Sequence, residues 1–274
     1  MDTNCTTAAM VRSNAPSESE RLKLLSSAAA GARARYAARI ASGQPGPWWT
    51  AVVVTASSEQ QAEYYRAEIE RRFAEGRLPR SARYMVAPDP GGNRLGSGGA
   101  TLNALRELAG KLFPAGSSNT GDVQQAWASQ RVLMIHAGGD LRRLPQYALR
   151  GRLFSALPLP TPWGDASTIF DEILTLSAAW VERISSGLVI SPGDVLAALD
   201  ASQWEWNMPG ITAVAVRQPL EVAIQHGVYA VDESGNVYSF LHKPSIAEMR
   251  AAGAILPNGM AALDTGLLAF DASS

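Results

Sequence analysis

The chain has 274 residues, a net charge of −1, 46% hydrophobic and 18% charged positions, the composition of a globular α/β protein with room for one large core. Near-neutral charge gives no electrostatic case for a nucleic-acid surface, and no apolar run is long enough to span a bilayer. The lone Cys5 excludes an internal disulfide framework and fits a reducing compartment. With no apolar leader at the N-terminus, a cytoplasmic protein without nucleic-acid or membrane partners is expected.

Residues before Pro16 read as disordered or frayed. Ser17 and Glu20 then have the spacing of a capping box that opens an Ala- and Arg-rich helix ending near Gly43. Residues 1–47 therefore form an N-terminal extension, and 48–274 the main domain. "TAVVVTAS" is a short apolar, β-branched run typical of a fully buried strand. An amphipathic helix follows, ending near Gly76. Next come the strand "RYMVAP", a glycine loop, a helix from about Thr101 and the strand "RVLMIHAGG". The helix "STIFDEILTLSAAWVERI" precedes the strands "GLVISPGD" and "ITAVAVR". "GVYAVDESGNVYSFLHKP" reads as a hairpin turning at "DESG". Ser245 and Glu248 cap one more helix, and "ALDTGLLAF" is the last strand. Strands alternating with helical crossovers predict a mostly parallel sheet covered on both faces. Ligands of such sheets sit at the carboxyl ends of the strands.

Two loops there carry glycines. In "GGNRLGSGGATLNAL", Gly96, Ser97, Gly98 and Gly99 expose backbone N–H groups, and the helix opening near Thr101 aims its positive end at them. The loop lacks the Gly-Lys-Ser/Thr ending of a P-loop, and Thr101 replaces the last glycine of GxGxxG, so a phosphate cradle and a plain tight turn both remain open. In "AGGDLRRLP", Gly138 and Gly139 remove side chains where an anion approaches, and Arg142 and Arg143 offer planar forks for phosphate oxygens. Asp194 in "SPGDVL" stands just past a strand, suited to holding Mg²⁺ against phosphates or to capping a helix from Val195. Lys243 leaves the hairpin in "FLHKP". His136, His226 and His242 lack metal-ligand spacing. No GxSxG elbow or Cys–His pair supports a nucleophile, and no GxGxxG followed by a ribose-binding acid supports a dinucleotide oxidoreductase.

In this order the pieces resemble the nucleotidyltransferases that make nucleotide sugars. "RLGSGGATLNAL" preceding "IHAGGDLRRLPQYALRGRLFSALP" resembles, more narrowly, the L-fucose-1-phosphate guanylyltransferase domain of L-fucokinase-type proteins. The resemblance implies a Rossmann-like α/β nucleotidyltransferase fold whose pattern continues beyond Ser274. It implies GTP and a sugar-1-phosphate as substrates, Mg²⁺ as cofactor, and a sugar-kinase domain or chain as possible partner. Gly138 and Gly139 would lie under the nucleotide. Arg143, with Arg142 beside it, would contact the triphosphate, and Gly96 to Thr101 would line the site. Asp194 would hold Mg²⁺ and Lys243 would contact the sugar phosphate. Arg152 stands where the family places a lysine, and Leu141 where it more often has a small hydroxyl residue. The alternatives are a non-catalytic nucleotide-binding fragment, a partner of a separate L-fucokinase half, or a sugar kinase, whose glycine–serine phosphate loop "RLGSGGATL" loosely echoes.

Overall fold

The computed structural model describes residues 6–9, 18–43, 47–112, 125–137, 151–197, 199 and 209–272. In chain order the elements are β1 (Thr6–Ala9), α1 (Glu18–Ser42), β2 (Ala51–Ala56), α2 (Glu59–Ala74), β3 (Arg83–Pro88), α3 (Gly96–Leu112), β4 (Arg131–His136), β5 (Ala156–Pro160), β6 (Ala166–Thr168), α4 (Ile169–Ser177), β7 (Gly187–Pro192), β8 (Ile211–Gln218), α5 (Leu220–Ala223), β9 (Gly227–Val231), β10 (Asn236–His242), α6 (Ile246–Ala251) and β11 (Ala261–Phe270).

Nine strands form one sheet in the order β3-β2-β4-β7-β11-β8-β1-β10-β9. Its first four strands are parallel and in level register, pairing Ala56 with Pro88, Thr55 with His136 and His136 with Pro192. Their carboxyl ends therefore open on one edge. All six residues of β2 are buried, which is why apolar residues run through it at successive positions instead of alternating, with Thr55 the one polar side chain. Val52, Val54, Leu133 and Ile135 face a core shared with Tyr36 of α1, Tyr65 and Ile69 of α2, and Phe170 and Leu174 of α4. Val53, Met85, Met134 and Ile190 face Ala104 and Leu108 of α3 on the other side. Each fully buried Leu, Ile or Phe contributes about 1.5–3 kcal/mol to this packing. The result is the expected Rossmann-like sandwich of helices on a sheet with a parallel core.

Beyond β7 the pairing turns antiparallel, except that β1 runs parallel to β8. β11 lies against both β7 and β8, and it also pairs with β9. Through β1 and β10 these strands close into a ring of five. Thr6–Ala9 thus differ from the unstructured segment expected before Pro16: they pair with β8 and β10. The sequence "TTAA" has no apolar alternation to announce a strand, and tertiary pairing decides it.

Most caps follow the sequence. Ser245 and Glu248 form a reciprocal capping box at α6, and α2 starts at the Ser58 cap and stops before Gly76, at φ +68°. The box expected at Ser17 lies outside the described residues. Two helices depart from expectation. α4 ends at Ser177 instead of running on to Ile184. The Ser177 hydroxyl donates to the Leu174 carbonyl (2.8 Å) and accepts from the Trp49 indole (2.9 Å), drawing the chain into tighter turns. α3 begins at Gly96, five residues before Thr101.

Candidate functional site

The early start of α3 changes what its glycines do. Gly96 enters the helix at φ +71°, and a Cβ on Gly99 would stand 2.8 Å from the Leu95 side chain. Both are required by the backbone. Gly98 has open space around it. Ser97 and Thr101 lie one turn apart, and the Thr101 hydroxyl donates to the Ser97 carbonyl at 2.9 Å. That same oxygen is 3.0 Å from His136 Nε2. Burial holds the His136 pKa below its ordinary value, against the pull of the Asp89 charge, so the ring is neutral at neutral pH.

These groups line a cleft of roughly 500 Å³ at the ends of β2, β3 and β4, walled by Thr55, Ser57, Asp89, Arg94, Ser97 and His136. β2 connects outward to β3, while β4 continues to β7 on the opposite side. The strand order turns between β2 and β4, the position at which open α/β sheets bind ligands.

A second group of residues meets beside β4 and β7. The "SPGD" turn crosses close to the end of β4: Gly193 N–H donates to the His136 carbonyl at 2.8 Å, and a Cβ on Gly193 would meet that oxygen. Asp194 follows at once, and its carboxylate pairs with Arg152 at 3.1 Å, both side chains 44% exposed. No helix starts at Val195 for Asp194 to cap: among the described residues, 195–197 are non-helical. Gly138, Gly139, Arg142 and Arg143 lie outside the described residues. The ends of their segment are described, at Ala137 and Gly151, and Tyr65 reaches both. Its hydroxyl donates to the Ala137 carbonyl at 3.3 Å and fills the space of a Gly151 Cβ.

Lys243 follows β10 at φ +49°, the only described non-glycine residue with a positive φ, and its N–H donates to His226 at 2.9 Å. Such a conformation is costly and tends to persist at functional positions. His242 pairs with Gly227, and a Cβ on Gly227 would lie 3.1 Å from the Asp264 side chain. Asp264 opens the β11 irregularity; a Cβ on Gly266, two residues on, would lie 3.2 Å from the Pro192 ring. Asp264 thus stands at the same sheet edge as Asp194. Its carboxylate accepts from Tyr229 Oη (2.7 Å) and Gly266 N–H (2.8 Å), and burial with the adjacent carboxylate pushes the Tyr229 pKa up. Asp264, Asp89 and Tyr65 were not singled out from sequence. "LDTG" at a strand's start was the available signal for Asp264; the other two carry none.

Ala137, from which the glycine–arginine segment departs, the "PGD" turn and the β11 bulge all fall on this edge, and residues 124–274 match the model of the fucose pyrophosphorylase domain. The chain belongs to the fucose pyrophosphorylase family. Members similar to it include a protein of Arabidopsis thaliana named bifunctional fucokinase/GDP-fucose pyrophosphorylase, 34% identical over 81% of this chain and 23% of its own length. The mouse protein named fucose-1-phosphate guanylyltransferase is 30% identical, over 77% of this chain and 35% of its own. A Bacteroides fragilis protein named L-fucokinase/L-fucose-1-P guanylyltransferase is 27% identical, over 61% and 18%. The chain spans about a quarter to a third of the length of the first two. Among the described residues no helix is long and apolar enough to cross a membrane, and no three His, Cys, Asp or Glu side chains cluster as a metal site.

Proposed function

We propose that this chain carries the guanylyltransferase half-reaction of its family: GTP and L-fucose-1-phosphate combine to GDP-L-fucose and pyrophosphate. The observation that supports it best is the Arg152–Asp194 pair at 3.1 Å, which joins the end of the glycine–arginine segment to the "PGD" turn. A cation for phosphate oxygens and a carboxylate for a metal stand together at the carboxyl ends of the parallel strands.

An anionic oxygen of the sugar phosphate attacks the α-phosphorus of GTP. The bond to the bridging oxygen breaks, and pyrophosphate leaves with the electron pair. The attacking oxygen carries no proton, so no general base is required; positioning and charge balance remain as the protein's tasks. Arg142, Arg143 and Arg152 are assigned to the triphosphate, Lys243 to the sugar phosphate, and Gly138 and Gly139 to close backbone approach. Asp194 and Asp264 would hold Mg²⁺. Both are hard oxygen donors, and the Asp194 partner is a half-exposed arginine free to turn towards phosphate, so the donor set fits a cation that takes few carboxylates and leans on substrate phosphates. Bound Mg²⁺ would neutralise charge on the phosphate oxygens.

The match to only part of each longer relative favours a second reading, in which the chain binds nucleotide and turns over only beside a further domain or a kinase partner. Pyrophosphate release with GTP, L-fucose-1-phosphate and Mg²⁺, with Asp194→Ala as control, separates the two. Turnover lost in the control supports the transferase; Mg²⁺-dependent GTP binding without turnover supports the second reading.

A further inference from the structure

Resting on the nucleotide reading above, we propose that the cleft at the ends of β2 and β3 is the seat of the base, and that Asp89 makes it a guanine site. The backbone places Asp89 firmly: its N–H donates to the Ala56 carbonyl at 2.8 Å, at the end of β2. It occupies the cap position of the 3-10 turn Pro90–Gly92, yet its side chain makes no capping bond there. Asp89 instead lines the cleft with Thr55, Ser57, Arg94, Ser97 and His136, and its charge is felt at the His136 ring. The cleft volume, roughly 500 Å³, lies in the ordinary range of small-molecule sites.

A carboxylate is an acceptor at both oxygens, so it selects a base edge with two adjacent donors. Guanine offers that edge in N1–H and the N2 amino group. Adenine and cytosine each set an amino donor beside a ring-nitrogen acceptor, which a carboxylate repels. Uracil sets a single N3–H between two carbonyls. A site built to hydrogen-bond one partner rejects analogues that lack it, because its own polar group is then left unpaired. Asp89 therefore determines specificity, without touching the reacting phosphorus.

The test is equilibrium binding of GTP, ITP and ATP to the 274-residue chain in Mg²⁺ buffer, by calorimetry. ITP differs from GTP only in lacking the N2 amino group. The expected result is GTP tighter than ITP by about tenfold, with ATP weaker still, and a GTP-to-ITP ratio that collapses to within about twofold in Asp89→Ala. Asp89→Asn, which keeps the volume, should also lose most of the ratio, and thermal melts of both variants confirm that they fold. GTP binding whose preference over ITP survives in both variants would overturn the proposal while leaving the transferase reading intact. If the wild-type chain binds none of the three nucleotides, the proposal and the nucleotide reading both fall.

Discussion

Tyr65 and Gly151 share one space. A Cβ added to Gly151 would sit 1.9 Å from the Tyr65 hydroxyl, and the backbone there has φ +67°. The hydroxyl also bonds the Ala137 carbonyl, so one buried side chain of α2 fixes both ends of the segment that carries Gly138, Gly139, Arg142 and Arg143. Tyr65→Phe keeps the ring against Phe154, its neighbour at 5.3 Å, and removes only the bond. It should cost about 0.5–1.5 kcal/mol in urea unfolding and raise KM for GTP more than it lowers the melting temperature. Gly151→Ala must displace the tyrosine and adopt a strained φ. A loss of about 2 kcal/mol or more is expected; an unchanged unfolding midpoint would refute the contact.

Asp194 and Arg152 should separate activity from stability. Their ion pair is nearly half exposed, and such pairs contribute about 0–1 kcal/mol. Asp194→Ala should leave the melting temperature within a few degrees while lowering pyrophosphate release by roughly a hundredfold or more. Arg152→Lys keeps the charge and loses the fork, and a smaller drop is expected, on the order of tenfold.

Arg72 should behave in the opposite way. Its side chain is 3% exposed; it bonds both oxygens of Asp171 at 2.7 and 3.0 Å, Glu68 at 2.6 Å and Thr168 at 3.2 Å, and it lies 4.8 Å over the Phe154 ring. Asp171 is in turn part of the capping box of α4. Arg72→Ala leaves Asp171 without its cation and Glu68 with Arg71 alone, and a loss of about 3–5 kcal/mol in chemical denaturation is expected. Arg72→Met keeps the packing against Phe154 and should lose less.

His136 gives the stability a pH dependence near neutrality. Burial holds its pKa in the folded chain below the ordinary value, so the unfolded chain takes up the proton first as pH falls. The contribution is whole above about pH 6.5 and is lost as pH falls towards the native pKa. Glu68, Asp165 and Asp232 have carboxyls held below their ordinary values of 4.5 and 3.8, so their losses begin in more acidic solution. Melting temperatures at pH 7.5 and 5.5 should therefore fall more for the wild type than for His136→Asn. Equal falls would refute the assignment.

The parallel core was legible because burial on both faces leaves a plain trace. "AVVV" and "VLMI" can be little else between turn residues, and their level ends follow once the strands are parallel. Ser245 and Glu248 declare their cap because capping is local. α4 was read too long because the Ser177 hydroxyl that ends it is held from another part of the chain by Trp49. β1 was missed because its only reason to be extended is the pair of strands on either side.

Local chemistry thus determined most of the elements, β1 and the end of α4 excepted, with the glycine turns and the charged residues past the strands, and with them the family resemblance. Tertiary structure decided which of those residues meet. Asp194 reaches Arg152 because Gly193 crosses the end of β4. Asp264 reaches the same edge because β11 bulges against Pro192. Asp89 faces His136 because β3, β2 and β4 end at one level. Hydrogen bonding between neighbours in sequence sets the first kind of fact, and strand order sets the second.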